Sequence, residues 1–329
     1  MKEDTMQMID AKKVHEILGF EGLIEALRTA HLGGMPKMSE RLIYNEPHGD
    51  GDTDAFIILP AWQPDEALMC KLVTSFPKNR QRHGVPTVNS IYAFINGRTG
   101  VTEAIADGEA MIFHKTSADS ALGSLILSRE DAKTYLILGA GGLAPYLVRA
   151  HLTARPGIER VLVNNRTESH AADLVKKLRA DGVPAEVAPD RDRAVAEADI
   201  VTCATMAAEP ILKGKLLKAG AHVDLVGSFT PEMREADDDV LLRSAIFVDH
   251  RQTTGRSGEF LGPFARGIIA PDDVRGDLFE LCQGKVDGRQ NAEQITLMKN
   301  GGGSHIDYYT LKYLMDRLHG RSFSTTCSA

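Results

Sequence analysis

The segment Gly139-Ala140-Gly141-Gly142-Leu143-Ala144 combines residue types that let a backbone wrap a phosphate group. It follows the apolar run Tyr135-Leu136-Ile137-Leu138 directly and opens a stretch of helical spacing from Leu143 to Thr153. A second apolar run, Arg160 to Val163, ends about 25 residues later, the length of a βαβ dinucleotide-binding unit. Glycine triplets arise by chance in many chains, so this strand-turn-helix context gives the motif its force. Gly139 allows the tight turn, Gly141 lets the backbone approach a pyrophosphate, and Ala144 is small enough for close packing of helix on strand. The helix N-terminus then offers its N–H groups to the phosphates.

After the second run, an acidic residue would bind the ribose 2'-hydroxyl of NAD. This chain reads Asn164-Asn165-Arg166-Thr167 instead. An arginine pairs with a 2'-phosphate where a carboxylate would repel it, so NADPH is the expected cofactor, with NADH as the alternative. Thr205 and Met206 follow the run Asp199 to Ala204 at its carboxyl end, the edge where open α/β sheets bind ligands, and are further cofactor candidates.

Lys71 sits inside the apolar run Ala67 to Val73, where alternation places it on one face with Met69 and Val73. Lysines are rarely buried without a partner, so the position calls for an anion or a catalytic task; the bland alternative is a strand-edge lysine reaching water. Arg41, and Lys115 ahead of a helix expected to begin at Thr116, are two more candidate cations, each by itself as compatible with a solvated surface.

These residues need elements to hold them. Asp10 to Leu32 repeats apolar positions at helical spacing behind a capping aspartate and ends in Gly33-Gly34. RLIYN, AFIILPAW, ALMCKLVTSF and NSIYAFIN then read as strands of an antiparallel sheet, with turns at HGDGD, QPDE, PKNRQRHG and NGRTG. A helix from Thr116 to Arg129 precedes TYLILG, and from there strands and helices alternate through RVLVNN, AEVA, DIVTCAT, HVDLVG and AIFVD. That alternation predicts an α/β fold: a Rossmann-type parallel-sheet domain over 122–297, beside an α+β domain over 1–121 completed by 298–329, whose last helix packs back on the first domain.

Composition limits the partners. A formal charge of -7 with no basic run argues against nucleic acid. No stretch nears the roughly 20 apolar residues of a membrane span, and MKEDTMQMID lacks the pattern of a secretion signal, so a cytoplasmic protein is expected. Cys70, Cys203, Cys282 and Cys327 show no metal-ligand spacing, nor do the histidines; reduced, mostly buried thiols and no metal are expected.

The turn GAGGLA, the strand MCKLVTSFPKN, the segment HKTSADSALGSLILSR, the loop GSFTPEMREADD and the stretch ITLMKNGGGSHID together resemble the ornithine cyclodeaminase/mu-crystallin family, in family order and over nearly the whole chain. The resemblance implies a substrate-binding and dimerisation domain at the N-terminus, a Rossmann domain, a homodimer, and an amino or imino acid held by its carboxylate on Arg41, Lys71 and Lys115. It also implies a contact from Asn300 and its following glycines to the nicotinamide edge.

Two departures refine this. Cyclodeaminases resemble RTAA where this chain has Lys115-Thr116-Ser117-Ala118; a lysine still holds a carboxylate, as a point charge. Their GGDxPGK loop carries an aspartate for the amine chemistry, and here Phe229 stands at that position, in Gly227-Ser228-Phe229-Thr230. A phenyl ring shuttles no protons, so the expectation shifts to reduction of a preformed cyclic imine, with Phe229 packing near the ring. The loop resembles family members described as Δ1-pyrroline-2-carboxylate and Δ1-piperideine-2-carboxylate reductases, whose products are L-proline and L-pipecolate. Lys71 is the candidate catalytic proton donor. The rival readings are an ornithine cyclodeaminase or related amino-acid dehydrogenase, and a crystallin-like NADPH-binding protein without turnover.

Overall fold

The structure, a computed structural model, describes residues 6–48 and 52–325. It divides into two compact units, Met1–Lys115 with Gly303–Ala329, and Thr116–Gly302. The junctions fall at 115/116 and 302/303, against the expected 121/122 and 297/298.

The first unit opens with β1 (Gln7–Ile9), α1 (Ala11–Ile17) and α2 (Phe20–Leu32), followed by β2 (Lys37–Met38), β3 (Leu42–Pro47), β4 (Thr53–Gln63), β5 (Ala67–Ser75), α3 (Asn79–His83), β6 (Val88–Asn96) and β7 (Thr102–Asp107). Asp10 caps α1 by accepting from the Lys13 N–H, as its position before the apolar repeat predicts. The sheet runs β1-β7-β6-β5-β4-β2 with β3 also on β4, antiparallel except for β1 against β7. The terminal helix Ser304–Leu318 lies across β4, β5 and β6 and against α2. Its cover explains the alternation on β5, where Ala67, Met69, Lys71 and Val73 are buried. The opposite face carries the cross-strand row Leu42, Ile58, Leu72, Ile91, and beside it Tyr44 and Phe56, of which Leu42, Tyr44, Phe56 and Ile91 are exposed.

Helix α4 (Gly108–Leu127) begins eight positions before the expected Thr116, so Lys115 lies within it rather than ahead of it. The helix is buried along most of its length, its Ser117, Asp119, Ser120 and Ser124 included, which erases the one-sided periodicity that marks a helix start. The expected PKNRQRHG turn contains α3, and β1, β2 and β7 were not expected. Residues 49–51 of HGDGD and Cys327 lie outside the described residues.

The second unit is built from β8 (Thr134–Leu138), α5 (Ala144–Ala154), β9 (Arg160–Asn164), α6 (Glu168–Ala180), β10 (Ala185–Val187), α7 (Arg191–Glu197), β11 (Ile200–Cys203), β12 (His222–Leu225), α8 (Asp238–Arg243), β13 (Ser244–Val248), α9 (Arg251–Thr254), α10 (Gly258–Arg266), β14 (Val274–Asp277), α11 (Leu278–Cys282) and β15 (Ile295–Lys299). Its eight strands form one parallel sheet ordered β10-β9-β8-β11-β12-β15-β13-β14. Tyr135 and Ile137 face a core with α5 and α6, while Leu136 and Leu138 face one with α7, α8 and α10. This two-sided burial is what a doubly wound sheet requires. Neither β14 nor β15 was expected, and β15, late in the chain, inserts between β12 and β13.

Candidate active site

The glycine turn is shaped as its residues dictate. Gly139 has φ 115°, and a Cβ there would lie 2.5 Å from the Ala204 carbonyl oxygen, so no other residue fits without displacing backbone. A Cβ on Gly141 would meet no protein atom, which leaves its backbone open to a ligand. Ala144 is buried in the core beneath the turn and starts α5, whose N-cap residue, Leu143, makes no side-chain cap. The Ala144 and Tyr146 N–H groups donate to the Gly141 and Leu143 carbonyls and Pro145 has none, so a phosphate would be met by the backbone of the turn ahead of the helix and by the helix dipole.

Gly139, Ala140, Gly141, Asn165, Arg166, Thr167, Thr205 and Met206 line one cavity of about 480 Å³ in this unit. Eight of the expected cofactor contacts thus converge. His170 and Arg191 line it too, and no carboxylate does. Arg191 was missed by the sequence reading: it follows the third strand, outside the βαβ fingerprint. Its Nε makes no hydrogen bond and lies 3.9 Å from Asp192. Gly142, Leu143 and Ala144 do not line the cavity. Asn300 does not either: it is buried, and its amide donates to the Thr116 carbonyl and to Ser120 Oγ, both at 3.1 Å. With both donors engaged, the side chain keeps its Oδ1 as the atom left to meet a ligand. Phe229, on the loop after β12, is 55% exposed.

The strand ends at this edge are held by Glu235. Its carboxylate accepts from the Thr205 N–H (2.6 Å), the Thr205 hydroxyl (2.8 Å) and the Gly227 N–H (2.8 Å), tying the segments after β11 and β12 together. Burial pushes the Glu235 carboxyl up, countered by the buried Lys299 and these hydrogen bonds. Neither residue carried a spacing signal.

In the first unit, Lys71 and Lys115 meet on an acid that sequence reasoning did not single out. Lys115 Nζ lies 3.1 Å from Asp307 Oδ1 and Lys71 Nζ 3.8 Å from Oδ2, with all three side chains buried. The Tyr92 hydroxyl donates to Oδ1 at 2.7 Å, and Lys71 Nζ stands 5.2 Å from the Tyr92 ring centre. Burial lowers the Lys71 ammonium to about 8, with Asp307 opposing and Lys115 reinforcing the shift. Burial would raise the Asp307 carboxyl, but Lys115, Lys71 and the Tyr92 hydroxyl outweigh it and the net shift is downward. Asp307, Leu311 and Leu314 follow helical spacing on one buried stripe, so an acid at a core position was the available clue. Arg41 is exposed; it precedes Leu42, which pairs with Ile58, so it falls at the level of Leu59, whose partner on the next strand is Lys71.

A parallel-sheet unit with a phosphate-cradling turn, joined in one chain to a mixed sheet with a buried cation pair, defines a Rossmann-type oxidoreductase architecture. The family model for the ornithine cyclodeaminase/mu-crystallin family matches residues 5–322, and the chain belongs to that family. It is 40% identical over 300 residues to Delta(1)-pyrroline-2-carboxylate reductase of Paracoccus denitrificans, covering 90% of this chain and 92% of that one. It is 35% identical over 311 residues to Protein SAR DEFICIENT 4 of Arabidopsis thaliana, covering 92% and 94%. Among solved structures it resembles the Thermococcus litoralis Delta(1)-pyrroline-2-carboxylate reductase in complex with NADH and L-proline, with TM-score 0.88, 26% identity, and coverage of 97% and 100%.

Proposed function

We propose that this protein is an NADPH-dependent reductase of small cyclic imino acids, converting Δ1-pyrroline-2-carboxylate to L-proline and Δ1-piperideine-2-carboxylate to L-pipecolate. The observation that carries the reading is the buried Lys71–Lys115 pair, two cations converging on one carboxylate in a chain that also carries the dinucleotide turn. Relatives at 34–40% identity that bear the pyrroline-2-carboxylate reductase name support the substrate class. The cavity fits a nicotinamide dinucleotide: open backbone at Gly141, the dipole of α5 behind the turn, and Arg166 with Arg191 for a 2'-phosphate.

The first unit serves as the substrate unit. Lys71 and Lys115, aided by Arg41, bind the carboxylate and orient the ring, and orientation supplies much of the rate. Bound reduced nicotinamide supplies a hydride to the carbon of the C=N bond. Lys71, an ammonium below pH about 8, gives the imine nitrogen its proton, so that nitrogen stays in the ring as a secondary amine. Phe229, exposed in the loop after β12, supplies apolar surface to the ring. A second copy of the chain covers the open apolar face of Leu42, Tyr44, Phe56 and Ile91, giving a homodimer. Free thiols at Cys70, Cys203 and Cys282 suit a reducing cytoplasm.

The test is spectrophotometric. NADPH and NADH oxidation are followed with five- and six-membered cyclic imino acids, beside ammonia release from L-ornithine with NAD. Imine-dependent NADPH oxidation supports the reading. Rapid ammonia release without imine reduction makes the protein a cyclodeaminase, and tight NADPH binding with neither reaction makes it a binding protein.

A further inference from the structure

Two ammonium groups buried side by side are unstable as a pair: each loses hydration and repels the other, so one would shed its proton near neutral pH. The groups facing Lys71 are Asp307 on the terminal helix, Lys115 on α4 and Tyr92 on β6, while β4 presents the apolar Leu59 opposite it. Asp307 is therefore the one negative charge among these neighbours. It accepts from Tyr92, contacts Lys115 at 3.1 Å and faces Lys71 at 3.8 Å, and at 1% exposure it is closed to solvent.

We infer that Asp307 is the positioning residue of the cation pair: held by the Tyr92 hydroxyl, it keeps Lys71 and Lys115 converged and both charged, leaving a net single positive charge matched to one substrate carboxylate. Within the buried cluster, leaving aside the exposed Arg41, two ammonium groups and one carboxylate sum to +1, which a monocarboxylate neutralises. Without the acid the same cluster carries +2, and loss of the Lys71 proton is its cheapest relief. This deepens the reductase reading and rests on it for its kinetic arm. Asp307 touches no reacting atom; it acts through the two lysines.

The experiment measures the pH profile of kcat/KM for the imino acid in wild type, Asp307→Asn, Asp307→Glu and Tyr92→Phe, with NADPH binding by fluorescence as the folding control. In parallel, the pH midpoint of Lys71 labelling by an amine-reactive reagent is read by mass spectrometry. The expected result for Asp307→Asn is an alkaline limb moved at least one pH unit lower, a KM raised tenfold or more, and NADPH affinity within twofold. Asp307→Glu restores most of the limb, and Tyr92→Phe moves it a smaller distance the same way. An unmoved limb and labelling midpoint in a variant that binds NADPH normally overturns the inference. Should Asp307→Asn fail to bind NADPH, an unmoved labelling midpoint in Tyr92→Phe overturns it instead. Failure of the reductase reading looks different: wild type then turns over no imine, and the labelling midpoints still decide the role of Asp307.

Discussion

Lys115 and Asp307 form the tighter arm of a three-charge cluster, 3.1 Å apart against 3.8 Å for Lys71 and the same carboxylate. The two lysines are therefore unequal. Lys115 is the structural partner of the acid, and Lys71 has the looser tie and the lowered proton affinity that chemistry requires.

Replacing Lys71 with Met should separate activity from stability. Loss of a charged contact to a desolvated carboxylate costs about 2 to 5 kcal/mol, so kcat/KM should fall roughly 30-fold or more. Stability moves the other way. Lys71 is about 8 in the fold against 10.5 when unfolded, so between those values the unfolded chain holds more protons and wild-type stability rises with pH. Lys71→Met should accordingly be more stable than wild type at pH 7, and the gap should narrow as pH climbs from 8 towards 10.5. Urea unfolding across that window checks the sign. A Lys71→Met protein less stable at pH 7 would refute the assignment.

Asp224, buried in β12, offers an independent pH test in the other unit. Burial lifts its carboxyl from 3.8 to about 7, against hydrogen bonds from Ser120 (3.0 Å) and Thr202 (3.1 Å). Because the folded state holds the proton more tightly, its contribution to stability is complete below 3.8 and is lost as pH rises to about 7. Asp224→Asn should gain about 2 to 4 kcal/mol over wild type at pH 8 and nothing at pH 4. Equal unfolding midpoints at pH 8 would count against it.

Arg166 and Arg191 should govern cofactor choice. With both lining the cavity and no carboxylate among its lining residues, either change to Ala should raise KM for NADPH by about tenfold and leave KM for NADH within twofold. A parallel rise for both cofactors would mean that these arginines hold the shared pyrophosphate or the fold.

Gly139 and Gly141 of the turn should fail differently. Gly139→Ala forces a Cβ against the Ala204 carbonyl oxygen at an unfavourable φ and should cost about 1 to 3 kcal/mol of folding stability. Gly141→Ala meets nothing in the protein, so it should melt like wild type yet bind the dinucleotide at least tenfold more weakly. Thermal melts beside NADPH titrations separate the two.

The strand-turn-helix around Gly139 and the burial of Lys71 were legible because each rests on local periodicity: five buried residues before a turn, and alternation on a strand with one covered face. Lys115 was misplaced relative to its helix because α4 is buried on most sides and has no polar face to count from. Asp307 and Glu235 escaped notice because their partners are distant in sequence: Tyr92 and the two lysines for one, Thr205 for the other. Arg191 lined the cavity for the same reason, since β10 pairs beside β9 and so carries the residue after it to the dinucleotide edge.

Strand β15 has a consequence for how the chain matures. On a ribosome, β13 emerges before Ile295–Lys299 exists, yet its only sheet neighbours are β14 and that later segment. The β13–β14 pair must therefore wait as a detached flap, its Ala245–Val248 edge without a hydrogen-bonding mate, until the last strand threads in beside Leu225. Nascent chains stalled before Ile295 should be the aggregation-prone species and the ones that chaperones hold.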